Sequence, residues 1–395
     1  MAKRQYAHIR GELLVWARKS LRMGLEEAAE RLGIPPDRLA AWESGERKPT
    51  VAQLRNVARV YRRPLAVFFL PRPPRDFHVP HDFRTVPGRP EPELSPELLT
   101  AIRLAQYRRQ LAIELAEEEI EAVEGLVGSA DLAMSADIVA AKARASLGVG
   151  LEEQKAWRTP YDALNRWKDA AEGLGILVFH FDGVPVEEAR GFSLAEVPFP
   201  VIALNGKDSP NGRTFSLVHE FTHLLLNQPG ISDQREYRGT RSPNQRTEVF
   251  CNYVAGSVLV PREELERVRV VQSASPRTRW DDNVLQHLAQ EYSVSREVLL
   301  RRLLIIGKTN QRFYEAKRAE YARLKDRGQR RGFLTVPMRV IREVGQPFLR
   351  VVLNAYYRQV ITSSDISEYV GARLKHLPAI EHRLFGPNLL TGGDR

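Results

Sequence analysis

Two histidines four residues apart, with a glutamate beside the first, place the strongest single constraint on this chain. His219 and His223 stand in residues 214–226, where apolar residues recur at helical spacing. On a helix, residues four apart lie on one face, one turn apart, so the two imidazoles can share a metal ion. Glu220 would then lie next to that ion, where it can take a proton from a bound water. The run predicts a metal-binding helix with its own general base.

A second predicted helix, further along the chain, supplies the ligand that two histidines lack. A catalytic zinc ion needs a third protein ligand and one open position. Glu248, 25 residues after His223, begins the buried face of this helix, and Asn252 follows one turn later. Asn252 is placed to accept a hydrogen bond from the outer nitrogen of a zinc-bound histidine and so to orient its ring. We predict His219, His223 and Glu248 as ligands of Zn²⁺, and Glu220 as the catalytic residue.

The two helices carry longer motifs that resemble a known family. Residues 213–226 read Arg-Thr-Phe-Ser-Leu-Val-His-Glu-Phe-Thr-His-Leu-Leu-Leu, and residues 248–261 read Glu-x-x-Cys-Asn-x-x-Ala-x-x-x-Leu-Val-Pro. Together they resemble the ImmA/IrrE family of metallo-endopeptidases over residues 175–310. The resemblance implies a zincin-like fold and intracellular, zinc-dependent hydrolysis of amide bonds, in which Glu220 passes a proton from water to the leaving amine. It also implies a protein substrate, either an XRE-type repressor or the product of a neighbouring gene.

Several features of this site stay open. The family usually has alanine at the place of Cys251, whose thiol could coordinate or inhibit the metal, or could simply fill a small buried space. Arg213, Tyr237 and Tyr253 are candidates to stabilise the tetrahedral oxyanion. The alternative to catalysis is a transcriptional regulator or antitoxin whose peptidase-like domain acts as a sensor or partner-binding module with little activity.

The first 70 residues predict a separate helical domain. Apolar residues recur at helical spacing in five short segments, at residues 10–21, 25–32, 36–44, 50–61 and 64–69. Residues 25–33 and the sequence Trp-Glu-Ser-Gly-Glu-Arg-Lys-Pro at 42–49 resemble the XRE (Cro/repressor-like) helix-turn-helix family. The resemblance implies DNA binding, and Arg38, Arg47 and Lys48 are our candidates for contacts with the DNA backbone.

Acidic residues weaken the prediction of DNA binding. Glu26 and Glu27 occupy the place where this family often has a phosphate-contacting glutamine, and Asp37 follows two prolines at the start of the recognition helix. A carboxylate there repels phosphate. The domain therefore either binds DNA or serves as a docking or dimerisation module, and we retain a homodimer as a candidate assembly.

The remaining organisation follows from composition and periodicity. Residues 71–98 are rich in proline and predict a linker. Residues 99–174 predict a helical connector, 175–310 the metallopeptidase core, and 311–395 a basic helix followed by a small helical C-terminal unit. A long helix is predicted to run from the Ser-Pro-Glu sequence at 95–97 to about residue 124, and the C-terminal unit is predicted to contain helices near residues 337–357, 364–374 and 375–384. Short strands are predicted at residues 176–181, 191–194 and 201–204. The expected fold is mainly α with a small β-sheet (α+β). Residues 201–204 are our candidate for an edge strand that pairs with an extended substrate, with a plain core strand as the alternative.

Charge and cysteine content bear on partners and compartment. Residues 1–75 carry a net charge of +9 and residues 301–350 one of +10, whereas residues 76–300 carry −10. Two basic flanks suggest an anionic partner, although solvated helix faces in an arginine-rich protein explain them equally well. A single cysteine excludes an internal disulfide framework. The N-terminus has no apolar region of signal-peptide type, and no run approaches the about 18 apolar residues of a membrane span. We expect a cytoplasmic protein without a membrane partner.

Overall fold

The computed structural model describes residues 6–61, 63, 65–73, 81–82, 93–116, 125–232, 242–325 and 334–386. The chain divides into two compact units, one of residues 1–80 and 92–111 and the other of residues 81–91 and 112–395. Helices dominate both units, and the second contains one mixed five-stranded sheet. This architecture confirms the mainly α, α+β expectation.

The first unit contains the predicted helix-turn-helix elements. They are α1 (Gly11–Ser20), α2 (Leu25–Leu32), α3 (Pro36–Glu43), α4 (Val51–Val60) and a 3₁₀ helix (Leu65–Phe69). Local signals place their ends: Gly33, in the left-handed conformation at φ +68°, ends α2, and Thr50 forms a capping box with Gln53 at the start of α4. The last segment is a 3₁₀ helix, where an α-helix was expected. Helix α5 (Pro96–Leu115) begins in this unit, and its predicted continuation over residues 117–124 lies outside the described residues.

The second unit contains the sheet and the helices around it. The elements from its start through the predicted basic helix are β1 (His81–Asp82), α6 (Ala136–Leu147), α7 (Leu151–Lys155), α8 (Pro160–Gly173), β2 (Leu177–Phe181), β3 (Gly191–Leu194), β4 (Val201–Asn205), α9 (Pro210–Leu225), β5 (Gly230–Ile231), α10 (Pro243–Leu259), α11 (Arg262–Arg267), α12 (Arg269–Gln272), α13 (Asp282–Glu291), α14 (Arg296–Ile305) and α15 (Gln311–Lys325). β1 lies within the stretch predicted as a linker, and β5, α11 and α12 were not predicted.

Strand β4 lies inside the sheet. The strand order is β1-β5-β3-β4-β2, with β4 parallel to β2 and antiparallel to β3. All five residues of β4 are buried. The expectation that residues 201–204 form an edge strand open to a substrate is therefore wrong, because both sides of β4 are already paired. The alternative, a core strand, is the observed arrangement.

Helix α9 forms the centre of the second unit. Every residue from Arg213 to Leu225 is buried, so this helix has no solvent-facing side. It packs on α8 and α10 and against β3 and β4, in a core that includes Trp167, Val218 and Val254. A helix enclosed on all sides keeps its polar residues only if they have partners or a function.

The C-terminal unit is helical, as predicted, but divided differently. It consists of α16 (Val336–Val344), α17 (Gln346–Tyr357), α18 (Ser363–Val370), a 3₁₀ helix (Leu374–His376) and α19 (Leu377–Phe385). A single helix was expected over residues 337–357, and this expectation is wrong. Gly345, at φ +72° and ψ 157°, breaks it where a Cβ atom would lie 2.7 Å from both Glu172 Oε1 and the Val178 backbone oxygen.

None of the helices in the described ranges is both long enough and apolar enough to cross a membrane.

Candidate metal centre

Helix α9 carries both histidines and Glu220 into the core. Ser209 caps its N-terminus by accepting a hydrogen bond from the Gly212 backbone N–H at 3.0 Å, and Pro210 occupies its first turn. His219, Glu220 and His223 are all fully buried. The two Nε2 atoms lie 3.1 Å apart, so the imidazoles face one point. The four-residue spacing thus has the geometric consequence that the sequence predicted.

Helix α10 brings Glu248 to the same point. The helix begins at a capping box formed by Ser242 and Gln245, several residues before the predicted start, and Glu248 lies in its second turn. The Glu248 carboxylate oxygens lie 3.2 Å from His219 Nε2 and 3.1 Å from His223 Nε2. One donor atom from each of the three residues lies within 4.8 Å of the other two. The structure therefore brings together the three residues that the sequence selected.

The donor set fits a zinc ion. Two imidazole nitrogens and one carboxylate oxygen are ligand types that zinc takes in catalytic sites, and three protein ligands leave a coordination position open. The two oxygens of Glu248 lie 3.2 and 3.1 Å from the Nε2 atoms of His219 and His223. Ligand atoms of three residues that lie this close to one another can be shared by one metal ion.

The charges of these groups act on one another. Burial favours a higher pKa for Glu248, but the two histidines outweigh it and hold that pKa below its ordinary value. Burial of the Glu220 carboxylate raises its pKa despite the opposing attraction of the histidines. A raised pKa makes Glu220 a stronger proton acceptor than an exposed glutamate, which suits a general base.

The ring of His223 is oriented by a backbone group that the sequence did not reveal. Its Nδ1 donates a hydrogen bond to the backbone oxygen of Gln228 at 2.9 Å. Because a carbonyl only accepts, this contact places a ring proton on Nδ1, which is the tautomer in which Nε2 can bind a metal ion. The Gln228 side chain in turn accepts a hydrogen bond from Thr247 Oγ1 at 2.8 Å, which joins the end of α9 to α10.

The hydrogen bond predicted between Asn252 and a histidine is not formed. Asn252 is 1% exposed, and neither polar atom of its side chain has a hydrogen-bond partner in the described part of the chain. Nδ1 of His219 is likewise unpartnered. For His223, the orienting role predicted for Asn252 belongs to Gln228.

Of the other residues considered at the site, Cys251 interacts directly with a candidate ligand. It is fully buried, and its side chain forms a hydrogen bond with His223. Burial acts to lower the pKa of His223, but Cys251 and Glu248 outweigh it and hold that pKa well above its ordinary value. The group of possible metal ligands among the described residues does not include Cys251.

Tyr253 donates its hydroxyl to Asp137 of α6, with oxygen–oxygen distances of 3.0 and 3.1 Å. The guanidinium carbon of Arg213 lies 5.7 Å from the ring centroid of Tyr161 on α8. These contacts lead to α6 and α8 and away from the metal centre, and Tyr237 lies outside the described residues.

The candidate DNA-contacting residues are on the surface of the first unit. Arg38, Arg47 and Lys48 are all exposed, and Lys48 Nζ lies 2.9 Å from His8 Nδ1. Asp37 is also exposed, in the first turn of α3. The surface therefore offers positive charge for a phosphate backbone together with the carboxylate that opposes it.

Comparison with known proteins agrees with the description of both the helix-turn-helix domain and the domain that contains the metal centre. No curated protein matches the chain. A helix-turn-helix family model matches residues 14–68, and a peptidase family model for the IrrE N-terminal-like domain matches residues 171–304. The chain thus joins an N-terminal helix-turn-helix domain of XRE type to an IrrE/ImmA-like peptidase-family domain, as the sequence motifs indicated.

Proposed function

We propose that this protein is a zinc-dependent endopeptidase of the cytoplasm that regulates gene expression by limited proteolysis of a repressor-like protein. The observation that carries the proposal is the buried group of His219, His223 and Glu248, with Glu220 next to it on the same helix. A match to a peptidase family over the residues that build this group supports it.

Each side chain of the group has a defined part in this chemistry. His219, His223 and Glu248 would hold the ion through Nε2, Nε2 and a carboxylate oxygen. A zinc ion bound there supplies a water of lowered pKa and polarises the scissile carbonyl. Glu220 would act as general base and acid, taking the proton of the attacking water and delivering it to the leaving amine.

The helix-turn-helix domain would bring the peptidase to its target. Its exposed Arg38, Arg47 and Lys48 suit contact with a phosphate backbone, so the domain would hold the protein near a repressor bound to DNA. Docking directly on the repressor, or on a second copy of this chain, is the alternative that exposed Asp37 favours.

Two measurements test the proposal. The purified wild-type protein should contain one equivalent of zinc, and the H219A variant should contain none. New protein N-termini in cells carrying the wild type should be absent in cells carrying E220Q, which removes the base and keeps the size of the side chain. E263Q changes an exposed glutamate on α11 in the same way and serves as the control. If the sets of new protein N-termini are identical in cells carrying the wild type and in cells carrying E220Q, the protein is not a protease. The peptidase-like domain then acts as a sensor or partner-binding module.

A further inference from the structure

Gly191, the first residue of β3, lies against the carboxylate of Glu220. Gly191 pairs with Leu204 in the antiparallel ladder of β3 and β4, and α9 packs on β3. A Cβ atom at position 191 would lie 3.0 Å from Glu220 Oε1, 3.0 Å from the Ala203 backbone oxygen and 3.3 Å from Glu220 Cγ. Such distances are tighter than nine in ten contacts that Cβ atoms make. A side chain at this position would therefore force a neighbouring group to shift by a few tenths of an ångström.

Backbone conformation does not explain the glycine. Gly191 is not among the residues with positive φ, and it lies in regular strand structure that other residues adopt freely. Glycine weakens a strand because it has no side chain to pack, and it often marks a close approach by another group. Here the approaching groups are the Glu220 carboxylate and the Ala203 backbone oxygen.

Close packing confines the Glu220 carboxylate. The residue is fully buried, and the side chains of His219, His223 and Ser232 interact with its carboxylate. Ala203 belongs to β4, which is paired on both sides, so its backbone cannot easily move away. A methyl group at position 191 would therefore mainly displace the flexible end of Glu220.

We propose that Gly191 is a positioning residue for Glu220, because its lack of a side chain sets the place of the carboxylate beside the metal centre. This inference rests on the proposed role of Glu220 as general base. A base must lie within hydrogen-bond reach of the proton that it takes. A misplacement of about 1 Å can slow an enzyme by about 100-fold. Gly191 acts only through Glu220.

The first test separates turnover from binding in the full-length, zinc-loaded protein. The substrate is a peptide that spans a cleavage site found in the comparison of N-termini. G191A should lower kcat roughly 3- to 10-fold, because the added methyl group shifts the carboxylate by a few tenths of an ångström. KM should stay within about twofold of wild type, and the variant should keep one equivalent of zinc. G173A is the matched control, because a Cβ atom at Gly173 meets open space. A G191A variant with wild-type kcat, or one in which kcat and KM change together, overturns the proposal.

The second test needs no substrate. Urea unfolding midpoints are measured for wild type, G191A, E220A and the double variant. G191A should lower the midpoint in the wild-type background and lower it less in the E220A background, where the overlapping carboxylate is gone. Equal shifts in the two backgrounds would show that position 191 and Glu220 are not coupled, which overturns the proposal. A wild type that cleaves nothing contradicts the proposed function, and this cycle still decides whether Gly191 and Glu220 are coupled.

Discussion

His223 donates a hydrogen bond from Nδ1 to the backbone oxygen of Gln228 at 2.9 Å, so a candidate ligand on α9 is oriented by the loop that follows the same helix. The chain turns back there because Asn227 adopts a positive φ of 49°. The side chain of Gln228 is itself held by Thr247 Oγ1, one residue before Glu248. The hydrogen bond between Gln228 and Thr247 thus supports both His223, which Gln228 orients, and Glu248, which follows Thr247.

We predict that T247V weakens zinc binding without removing a ligand. The substitution keeps the shape of the side chain and deletes the hydrogen bond to Gln228, so the carbonyl that orients His223 is held less firmly. Loss of such outer contacts weakens metal binding by about 10- to 100-fold, and we expect the lower end. Competition with a chromophoric chelator measures the affinity. T100V is the control, since among the described residues Thr100 Oγ1 bonds only the Pro96 backbone oxygen of its own helix. An unchanged zinc affinity in T247V contradicts the shared support.

The parts of the site that the sequence predicted are those that local periodicity determines. His219 and His223 face one point because they lie four residues apart on a helix, and Glu248 joins them because it begins the buried face of another. Gln228 could not be predicted in the same way. Its contact is made by a backbone oxygen, and its position depends on the left-handed conformation of Asn227.

Relations between distant elements were the parts of the fold that the sequence did not reveal. Periodicity identified β4 as a strand but not its place in the sheet, because strand order depends on which partners the chain finds later. β2 lies beside β4 although β3 stands between them in the sequence. The break at Gly345 was missed for a similar reason, since the helical pattern continues on both sides of it.

Gly345 provides a direct test of the break between α16 and α17. We expect G345A to destabilise the protein by roughly 2–4 kcal/mol, because φ +72° with ψ 157° is a conformation for glycine and the added Cβ would overlap Glu172 and the Val178 backbone oxygen. Gly386 is a matched control at φ +73° and ψ 177°, where a Cβ atom meets no described atom within 4 Å. G386A should cost about 1 kcal/mol, from backbone strain alone. Chemical unfolding followed by circular dichroism measures both, and equal losses would contradict the packing argument.

DNA binding by the first unit should be weak and strongly salt-dependent. R38A and K48A should each lower affinity for the protein's own promoter and reduce the slope of log affinity against log salt by about 1, because each removes one phosphate contact. D37N should tighten binding, since it removes an exposed carboxylate from the start of α3. Gel shifts at several salt concentrations measure these effects, with R267A, an exposed arginine of α11, as the control. If the wild type does not bind DNA at low salt, the first unit acts as a docking module and not as a DNA-binding domain.

The contact between α8 and the C-terminal unit should depend on pH through Glu172. Its side chain is 4% exposed, its Oε1 lies 3.4 Å from Lys168 Nζ, and it accepts a hydrogen bond from the Gln346 backbone N–H at 3.3 Å. Burial raises the pKa of Glu172 to about 7, and nearby Asp169 raises it further while Lys168 opposes the shift. The C-terminal unit is therefore docked on a carboxylate that titrates near neutrality.

The sign of the effect follows from the direction of that shift. Because the folded-state pKa lies above the ordinary value of 4.5, the folded protein binds this proton more tightly than the unfolded chain does. The stabilisation that results is fully present below pH 4.5, declines as the pH rises towards 7, and is absent above that. Its full size is about 3 kcal/mol, from 1.36 kcal/mol for each unit of pKa.

Replacing Glu172 by glutamine should remove this dependence. His180, whose pKa burial lowers well below its ordinary value, opposes it below about pH 6.5. Only the difference between E172Q and wild type therefore isolates Glu172. Amide hydrogen exchange in α16 and α17, corrected for intrinsic rates, should show E172Q gaining protection relative to wild type as the pH rises from 5 to 7.5. E153Q changes a half-exposed glutamate paired with Arg166 and should follow the wild type. A constant difference between E172Q and wild type over this range would show that the docked carboxylate does not titrate there.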